Sequence, residues 1–189
     1  MLGGKEIDPE VRSEIKKYIK EIESNSRFII SEVSNKVVDD GKAGTPLFQT
    51  EVINYGRGNV GIKLNINEEM LKGRTLDEIN EIIYNAKSTV AENIKECLIH
   101  ESKHMDLIWG KTYNEVQELY KELLSQGIDF NYITEADGDE ALADMGVILS
   151  RKDRDVSKYP EEERENIKRI YKLADENMDF YNKYLGESK

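Results

Sequence analysis

The chain has 189 residues and a mass of 21.8 kDa, which is enough for one domain with a substantial buried core. Its 38 acidic residues outnumber 27 basic residues, which gives a formal net charge of −11 at pH 7. This charge argues against binding to nucleic-acid phosphates or anionic membranes, and it is more compatible with a basic or neutral peptide partner.

The one cysteine excludes an internal disulfide, and the sequence contains no hydrophobic signal segment and no stretch that could span a membrane. We therefore expect a cytoplasmic or particle-associated protein. No linker or repeat divides the sequence, so we expect one domain over residues 1–189. The abundance of Ile, Asn, Lys and Tyr is typical of a bacterial or phage gene.

The N-terminal region predicts a scaffold helix over residues 8–23. Asp8 and Pro9 are typical of a helix start, and apolar side chains then recur at helical spacing. Residues 28–38 fit either a helix or a strand.

The next region predicts a β-hairpin. Residues 60–66 alternate between apolar residues and polar or glycine residues, as in a strand with one buried face, and residues 47–55 form a second candidate strand. The turn formers at 56–59 lie between them. A Thr-x-x-Glu capping box then opens an amphipathic helix predicted over residues 75–87.

Two further helices follow in the centre of the chain. The first is predicted over residues 89–108, with Thr89 and Glu92 as a capping box and Gly110 as the stop. The second is predicted over residues 112–126 by another capping box and a stripe of apolar side chains.

Both histidines of the chain lie within residues 100–104, which read His-Glu-Ser-Lys-His and match the pattern HExxH. On a helix, His100 and His104 are one turn apart on the same face and can direct two imidazoles to one zinc ion. Glu101 lies about 100° round the helix, where it can hold and deprotonate a metal-bound water. A helix that carries two histidines by chance, on its surface or in the core, is the alternative interpretation.

A zinc site needs a third protein ligand, and the sequence contains no third histidine. Cys97 is disfavoured because helical side chains lean toward the N-terminus, away from the histidine pair. A better source is the helix predicted over residues 134–150, which is apolar on two sides and should be buried. Its carboxylates Glu135, Glu140 and Asp144 are rival candidates, although the helix dipole already explains Glu135 in the first turn.

The last predicted element is a long helix over residues 161–184, which follows Pro160 and carries an apolar stripe among alternating charges. Such a stripe is typical of core packing or of packing against a partner helix. We interpret this helix as scaffold.

The central segments resemble the gluzincin branch of the zincin metallopeptidases, in which HExxH is followed by a helix carrying Glu-x-x-x-Asp. Residues 140–144 read Glu-Ala-Leu-Ala-Asp, and the resemblance covers residues 93–150. It implies that the zinc ligands are His100, His104 and Glu140, that Glu101 is the general base, and that Asp144 accepts a hydrogen bond that orients a ligand histidine.

Two features depart from the gluzincin pattern. Lys103 precedes the second histidine, where many members carry glycine, and it could alter access to the site. No further histidine is available as a transition-state stabiliser, so a tyrosine or an arginine would have to take that role. Zincins also place an edge strand beside the metal to pair with extended substrate; the predicted hairpin could do this, or it could simply cap a helical core.

These observations predict an α+β fold, a mainly helical zincin-like domain with a small antiparallel sheet or β-hairpin beside the HExxH helix. The expected activity is zinc-dependent hydrolysis of a peptide or protein substrate, by an endopeptidase that binds neither nucleic acid nor membrane. Two other classes stay open. One is a zincin-fold module of a phage or mobile-element protein, such as a minor head or toxin component with conditional or lost activity. The other is a structural metal-binding protein with four protein ligands.

Overall fold

The structure is a computed structural model, and it describes residues 6–25, 28–35, 46–126 and 138–185. Within these ranges the fold is α+β and mainly helical with a small sheet, as predicted. The strands are β1 (Glu32–Ser34), β2 (Phe48–Gly56) and β3 (Asn59–Ile66). The helices are α1 (Pro9–Asn25), α2 (Glu68–Leu71), α3 (Leu76–Ala86), α4 (Ile94–Ile108), α5 (Tyr113–Gln126), α6 (Gly138–Ser150), α7 (Glu161–Glu176) and α8 (Met178–Leu185), and a short 3₁₀ turn spans Val156–Lys158. In the described part of the chain, no helix has the length and apolar character needed to cross a membrane.

The sheet has the strand order β1-β3-β2, and its antiparallel pair β2 and β3 is the predicted hairpin. Gly56 pairs with Asn59 across the turn. Arg57 and Gly58 between them have positive φ angles of 55° and 82°, as a tight two-residue hairpin turn requires. β1 adds to β3 in parallel, so the sheet is mixed; the ambiguous pattern of residues 28–38 did not predict this pairing.

Helix α4 lies between two apolar clusters and is the centre of the fold. The first cluster joins α4 to α1 and to the buried face of β3, and it includes Ile15, Leu64 and Leu98. The second joins α4 to α6, α7 and α8, and it includes Leu107 and Leu142. Full burial of each such side chain stabilises the fold by about 1.5–3 kcal/mol. Packing on both sides therefore fixes the position of α4 and of the polar side chains it carries.

The start of α4 differs from the prediction. The helix begins at Ile94, so the capping box predicted at Thr89 and Glu92 does not open it. Asn93 caps the helix instead, because its side chain accepts a hydrogen bond of 3.0 Å from the backbone N–H of Glu96.

Tertiary hydrogen bonds explain why the helix starts late. The N–H of Val90 donates to Asp144 Oδ1 at 3.3 Å, and the Val90 carbonyl accepts from Arg151 Nη2 at 2.6 Å. Both polar groups of this buried residue are thus satisfied outside the helix. The segment that precedes Asn93 is therefore held in place by Asp144 of α6 and by Arg151, the residue that follows α6.

The helix predicted over residues 161–184 is two helices, α7 and α8, which meet at Asn177. The backbone N–H and the side-chain Nδ2 of Asn177 both donate to the Leu173 carbonyl, at 3.1 and 2.7 Å. A side-chain amide that competes for a helical carbonyl favours the end of a helix. The break allows Tyr181 and Leu185 to pack into the second apolar cluster.

Gly146 lets α4 and α6 approach each other closely. A Cβ atom at this position would lie 2.5 Å from Lys103 Cγ and 3.0 Å from Lys103 Cδ. We therefore expect Gly146→Ala to lower the free energy of unfolding by about 1–3 kcal/mol, because the lysine stem or the helix must move. Denaturant unfolding measures this change.

The matched control is the double variant Lys103→Ala/Gly146→Ala, which removes the atoms that clash. It should recover most of the lost stability. A single variant as stable as the wild type, or a double variant as unstable as the single one, would contradict this account of the helix contact.

Candidate metal centre

The predicted ligands come from α4 and α6, which pack against each other. His100 and His104 lie one turn apart on α4 and are 4% and 8% exposed, while Glu140 lies in the first turn of α6. Each side chain offers one ligand atom, and these atoms all lie within 4.8 Å of one another. The structure therefore brings together the three side chains that the sequence predicts as ligands.

The three ligand atoms form a compact triangle. His100 Nε2 lies 3.1 Å from His104 Nε2 and 3.1 Å from Glu140 Oε2. The third side, from His104 Nε2 to Glu140 Oε2, measures 3.5 Å. Ligands bound tetrahedrally to zinc at about 2.0–2.1 Å lie about 3.3 Å apart. The triangle thus has the size that a tetrahedral zinc ion requires.

The other ring nitrogen of each histidine faces an aspartate. His100 Nδ1 lies 2.9 Å from Asp144 Oδ1, and Asp144 is fully buried. His104 Nδ1 lies 3.5 Å from Asp139 Oδ2. Carboxylates at these nitrogens keep a proton on Nδ1, so each Nε2 is the atom that could bind a metal ion once its own proton is displaced.

Asp139 was missed by the sequence reasoning. It lies in the first turn of α6, where an acidic residue has an ordinary explanation in the helix dipole. The signal that could have found it is its position directly before Glu140, since a helix that aims one carboxylate at the HExxH helix brings its neighbour close as well.

The carboxylates of Asp139, Glu140 and Asp144 converge on the two histidines and favour a positive charge there. Burial lowers the pKa of His100, but hydrogen bonds to Asp144 and Glu140 outweigh the burial and raise that pKa to about 10. Burial raises the pKa of Glu140, yet the two histidines hold it well below its usual range. Because metal ligands must be deprotonated, a metal cation that binds here would displace the protons that the two histidines hold.

Glu101 lies next to His100 on α4 but outside the triangle of ligand atoms. It is 8% exposed, and its Oε2 has no hydrogen-bond partner among the described residues. Its backbone carbonyl accepts a hydrogen bond of 3.2 Å from Thr50 Oγ1, which ties this turn of α4 to β2. A buried carboxylate oxygen without a partner is costly, so the side chain is suited to a partner such as a water or a substrate group.

Tyr120 on α5 lies close to the carboxylates of the site. Burial raises the pKa of Tyr120, and the negative charges of Asp139, Glu140 and Glu101 raise it further. Its phenol is therefore held in the protonated form and can donate a hydrogen bond. Among the described tyrosines, Tyr120 is the one whose pKa the charges of Asp139, Glu140 and Glu101 raise, so it is a candidate for the stabilising role that the gluzincin resemblance leaves without a histidine.

Two other residues of α4 lie outside the ligand cluster. The stem of Lys103 packs against Gly146, and its ammonium lies 3.6 Å from Asp106 Oδ2. Burial raises the pKa of the Cys97 thiol, which disfavours the thiolate that a metal needs.

Among the described residues, three protein side chains make up the cluster, so a tetrahedral metal ion would keep one position for water or substrate. Asp144 is absent from the cluster because its carboxylate faces the outer nitrogen of His100. Glu135, the remaining rival for the third ligand, lies outside the described residues, as does residue 134 at the predicted helix start.

Comparisons with known proteins give no match for this chain, whether with protein families, with curated proteins or with solved structures. The candidate site therefore depends on the geometry and chemistry of its own residues.

Proposed function

We propose that this protein is a zinc-dependent peptidase in which His100, His104 and Glu140 hold the metal and Glu101 is the general base. The observation that carries the proposal is the unpartnered buried carboxylate oxygen of Glu101, next in sequence to a ligand of the three-membered cluster. A metal site that only stabilises a fold needs protein ligands but no free base. Hydrolysis needs the cluster and a free base beside it.

Each step can be assigned to a side chain. A bound zinc ion would supply Lewis acidity, polarising the scissile carbonyl and making a water easier to deprotonate. Glu101 would hold that water, accept its proton during the attack and pass the proton to the leaving amine. Asp144 and Asp139 would keep the two imidazoles in the tautomer that faces the metal.

The substrate proposed is an extended peptide. Among the described residues β2 pairs with β3 on one side only, so its other edge can accept a further strand. The hydrogen bond from Thr50 of β2 to the Glu101 carbonyl brings this edge strand next to the general base. Main-chain hydrogen bonds to a strand edge are a common way to hold an extended peptide.

A structural metal site is supported less well by the same observations. Such sites fill all four positions with protein ligands, and the described residues supply three. A purely structural metal site would also give the unpartnered Glu101 oxygen no role.

The proposal is tested by removing metal with a chelator, restoring one equivalent of zinc and incubating the protein with a complex peptide library. New chain ends identified by mass spectrometry report cleavage. We expect cleavage by the zinc-restored protein, none by the chelated protein, and none above background by a Glu101→Gln preparation purified in parallel. Zinc binding without cleavage of any library peptide would favour a zincin-fold module with lost activity and overturn the peptidase proposal.

The Tyr120→Phe variant tests whether the Tyr120 hydroxyl donates a hydrogen bond that stabilises the oxyanion developing during hydrolysis. We expect kcat to fall about 100- to 1,000-fold, as it does when one donor to a developing oxyanion is removed, while KM and zinc affinity stay close to wild type. Tyr113→Phe, on the exposed side of the same helix, is the matched control. Full kcat in Tyr120→Phe would remove this tyrosine from the mechanism.

A further inference from the structure

Arg151, the residue after α6, is almost completely enclosed, with a side chain that is 5% exposed. Its Nε and Nη2 donate to the two carboxylate oxygens of Glu96 in the first turn of α4, at 2.9 and 2.8 Å. The second hydrogen of Nη2 is directed at the Val90 carbonyl, at 2.6 Å. One guanidinium thus joins the end of α6, the start of α4 and the segment before it.

Neighbouring side chains fix the orientation of this guanidinium. Arg151 Nη1 lies 3.3 Å from Glu92 Oε1 and 3.4 Å from the hydroxyl of Tyr171 on α7. Tyr159 donates to Glu92, and its hydroxyl lies 3.2 Å from that of Tyr171. The Arg151 cluster consists of Arg151, Glu92, Glu96, Tyr159 and Tyr171. It connects the C-terminal third of the chain to the segment that precedes the metal-binding helix.

The backbone of Val90 links this cluster to the candidate metal centre. Arg151 holds the carbonyl of Val90, while the Val90 N–H donates to Asp144 Oδ1 at 3.3 Å. The same oxygen, Asp144 Oδ1, lies 2.9 Å from His100 Nδ1. A continuous path of hydrogen bonds therefore runs from Arg151 through Val90 and Asp144 to a predicted zinc ligand.

The segment at Val90 needs this support because it lies outside α4, which begins at Ile94. Its N–H and carbonyl bond to Asp144 and Arg151, not to a neighbouring helical turn. The N–H and the carbonyl of Val90 belong to adjacent peptide groups that share the Val90 Cα. Without the guanidinium, the carbonyl would lose its partner, the φ and ψ of Val90 would be less restrained, and the N–H that donates to Asp144 would be held less firmly.

We infer that Arg151 is a positioning residue for the metal centre, acting through the backbone of Val90 to hold the Asp144 carboxylate against His100 Nδ1. The inference rests on the metal site of the proposed function but does not require peptidase activity. Groups that orient a metal-binding histidine change metal affinity about 10- to 100-fold when they are removed. Because Arg151 acts at one further step, the expected loss of zinc affinity is about 10-fold, the lower end of that range.

The test compares Arg151→Met and Arg151→Lys with wild type and with Arg154→Met. Arg154 is a matched control, since it lies three residues away and pairs with Asp175 at the surface. The zinc dissociation constant is measured by competition with a chromogenic chelator, at a temperature where denaturation curves of the metal-free proteins show each to be folded. We expect Arg151→Met to bind zinc about 10-fold more weakly, Arg151→Lys to lie between it and wild type, and Arg154→Met to match wild type.

A second readout reports the proton between His100 and Asp144 directly. The chain has two histidines, so the nitrogen NMR spectrum of the zinc-loaded protein contains two imidazole systems. In Arg151→Lys the His100 Nδ1–H should exchange faster with water, while that of His104, which faces Asp139, serves as an internal reference. If Arg151 only stabilised the fold, its replacement would lower the unfolding temperature but would not make the Nδ1–H of His100 exchange faster relative to that of His104. This readout also decides the case if Arg151→Met fails to fold.

The outcomes distinguish this inference from the proposed function. Wild-type zinc affinity together with an unchanged His100 signal in the folded Arg151 variants would overturn the inference and leave the peptidase proposal intact. Weakened zinc binding in these variants supports the inference even if no peptide is cleaved. A wild-type protein that binds no zinc overturns both.

Discussion

Replacing Glu101 with glutamine is expected to lower peptide hydrolysis by about 100- to 10,000-fold while leaving the fold and zinc binding intact. Glutamine has nearly the same shape as glutamate and can still hold a water, but its amide cannot accept the water's proton. Zinc content should not change, because Glu101 lies outside the triangle of ligand atoms. The measurements are kcat/KM on a peptide found by library cleavage, and zinc content by elemental analysis.

The control for this substitution is Glu118→Gln on the exposed side of α5, where the carboxylate pairs with Lys121 in solvent. It should retain wild-type activity. Loss of zinc from Glu101→Gln would show that this carboxylate is a ligand, and full activity in Glu101→Gln would remove it from the mechanism.

The second large effect concerns zinc affinity across the candidate ligands. His100→Ala and His104→Ala should lose zinc, because the chain has no other histidine to replace either one. Glu140→Ala should weaken zinc by more than about 100-fold, whereas Asp144→Ala should weaken it by about 10- to 100-fold, as expected for a group that orients a ligand. Competition with a chelator of known affinity gives the order.

Two variants complete the series. Cys97→Ala should keep wild-type zinc affinity, because its thiol is outside the ligand cluster. Glu135→Ala should also keep it. If Glu135→Ala lost zinc while Glu140→Ala kept it, the assignment of the third ligand would be wrong, and so would the gluzincin resemblance that suggested it.

Elements whose ends depend on neighbouring residues were predictable from the sequence. The capping box at the start of α3 forms as expected: the backbone N–H of Thr75 donates to Glu78 Oε2 at 2.8 Å, and that of Glu78 donates to Thr75 Oγ1 at 3.3 Å. The hairpin turn was similarly predictable, because Gly58 supplies a φ of 82° at the place where the strands must reverse.

Elements whose ends depend on distant residues were not predictable. The start of α4 is set by hydrogen bonds from Val90 to Asp144 and from Arg151 to Val90, which span 54 and 61 residues of sequence. β1 is three residues long and gains its order from pairing with β3, which a short apolar pattern does not specify.

In the candidate site, too, the features set by neighbouring residues were predictable and those set by distant residues were not. The spacing of His100 and His104 on one helix face follows from helix geometry alone. The convergence of Glu140 on that pair depends on how α6 packs against α4, so the sequence could suggest it only through the resemblance to the gluzincin pattern. Tyr120 becomes visible only in three dimensions, since nothing in the sequence separates it from an ordinary aromatic helix residue. Asp139 is marked in the sequence only by its position directly before Glu140.

The most direct test of the metal centre is anomalous diffraction at the zinc absorption edge from crystals of the zinc-loaded protein. We predict one peak about 2.0–2.2 Å from His100 Nε2, His104 Nε2 and a carboxylate oxygen of Glu140, with the fourth position free of protein side chains. A peak at another place, coordination by four protein ligands, or no peak between α4 and α6 would contradict the assignment of this site as a catalytic zinc centre.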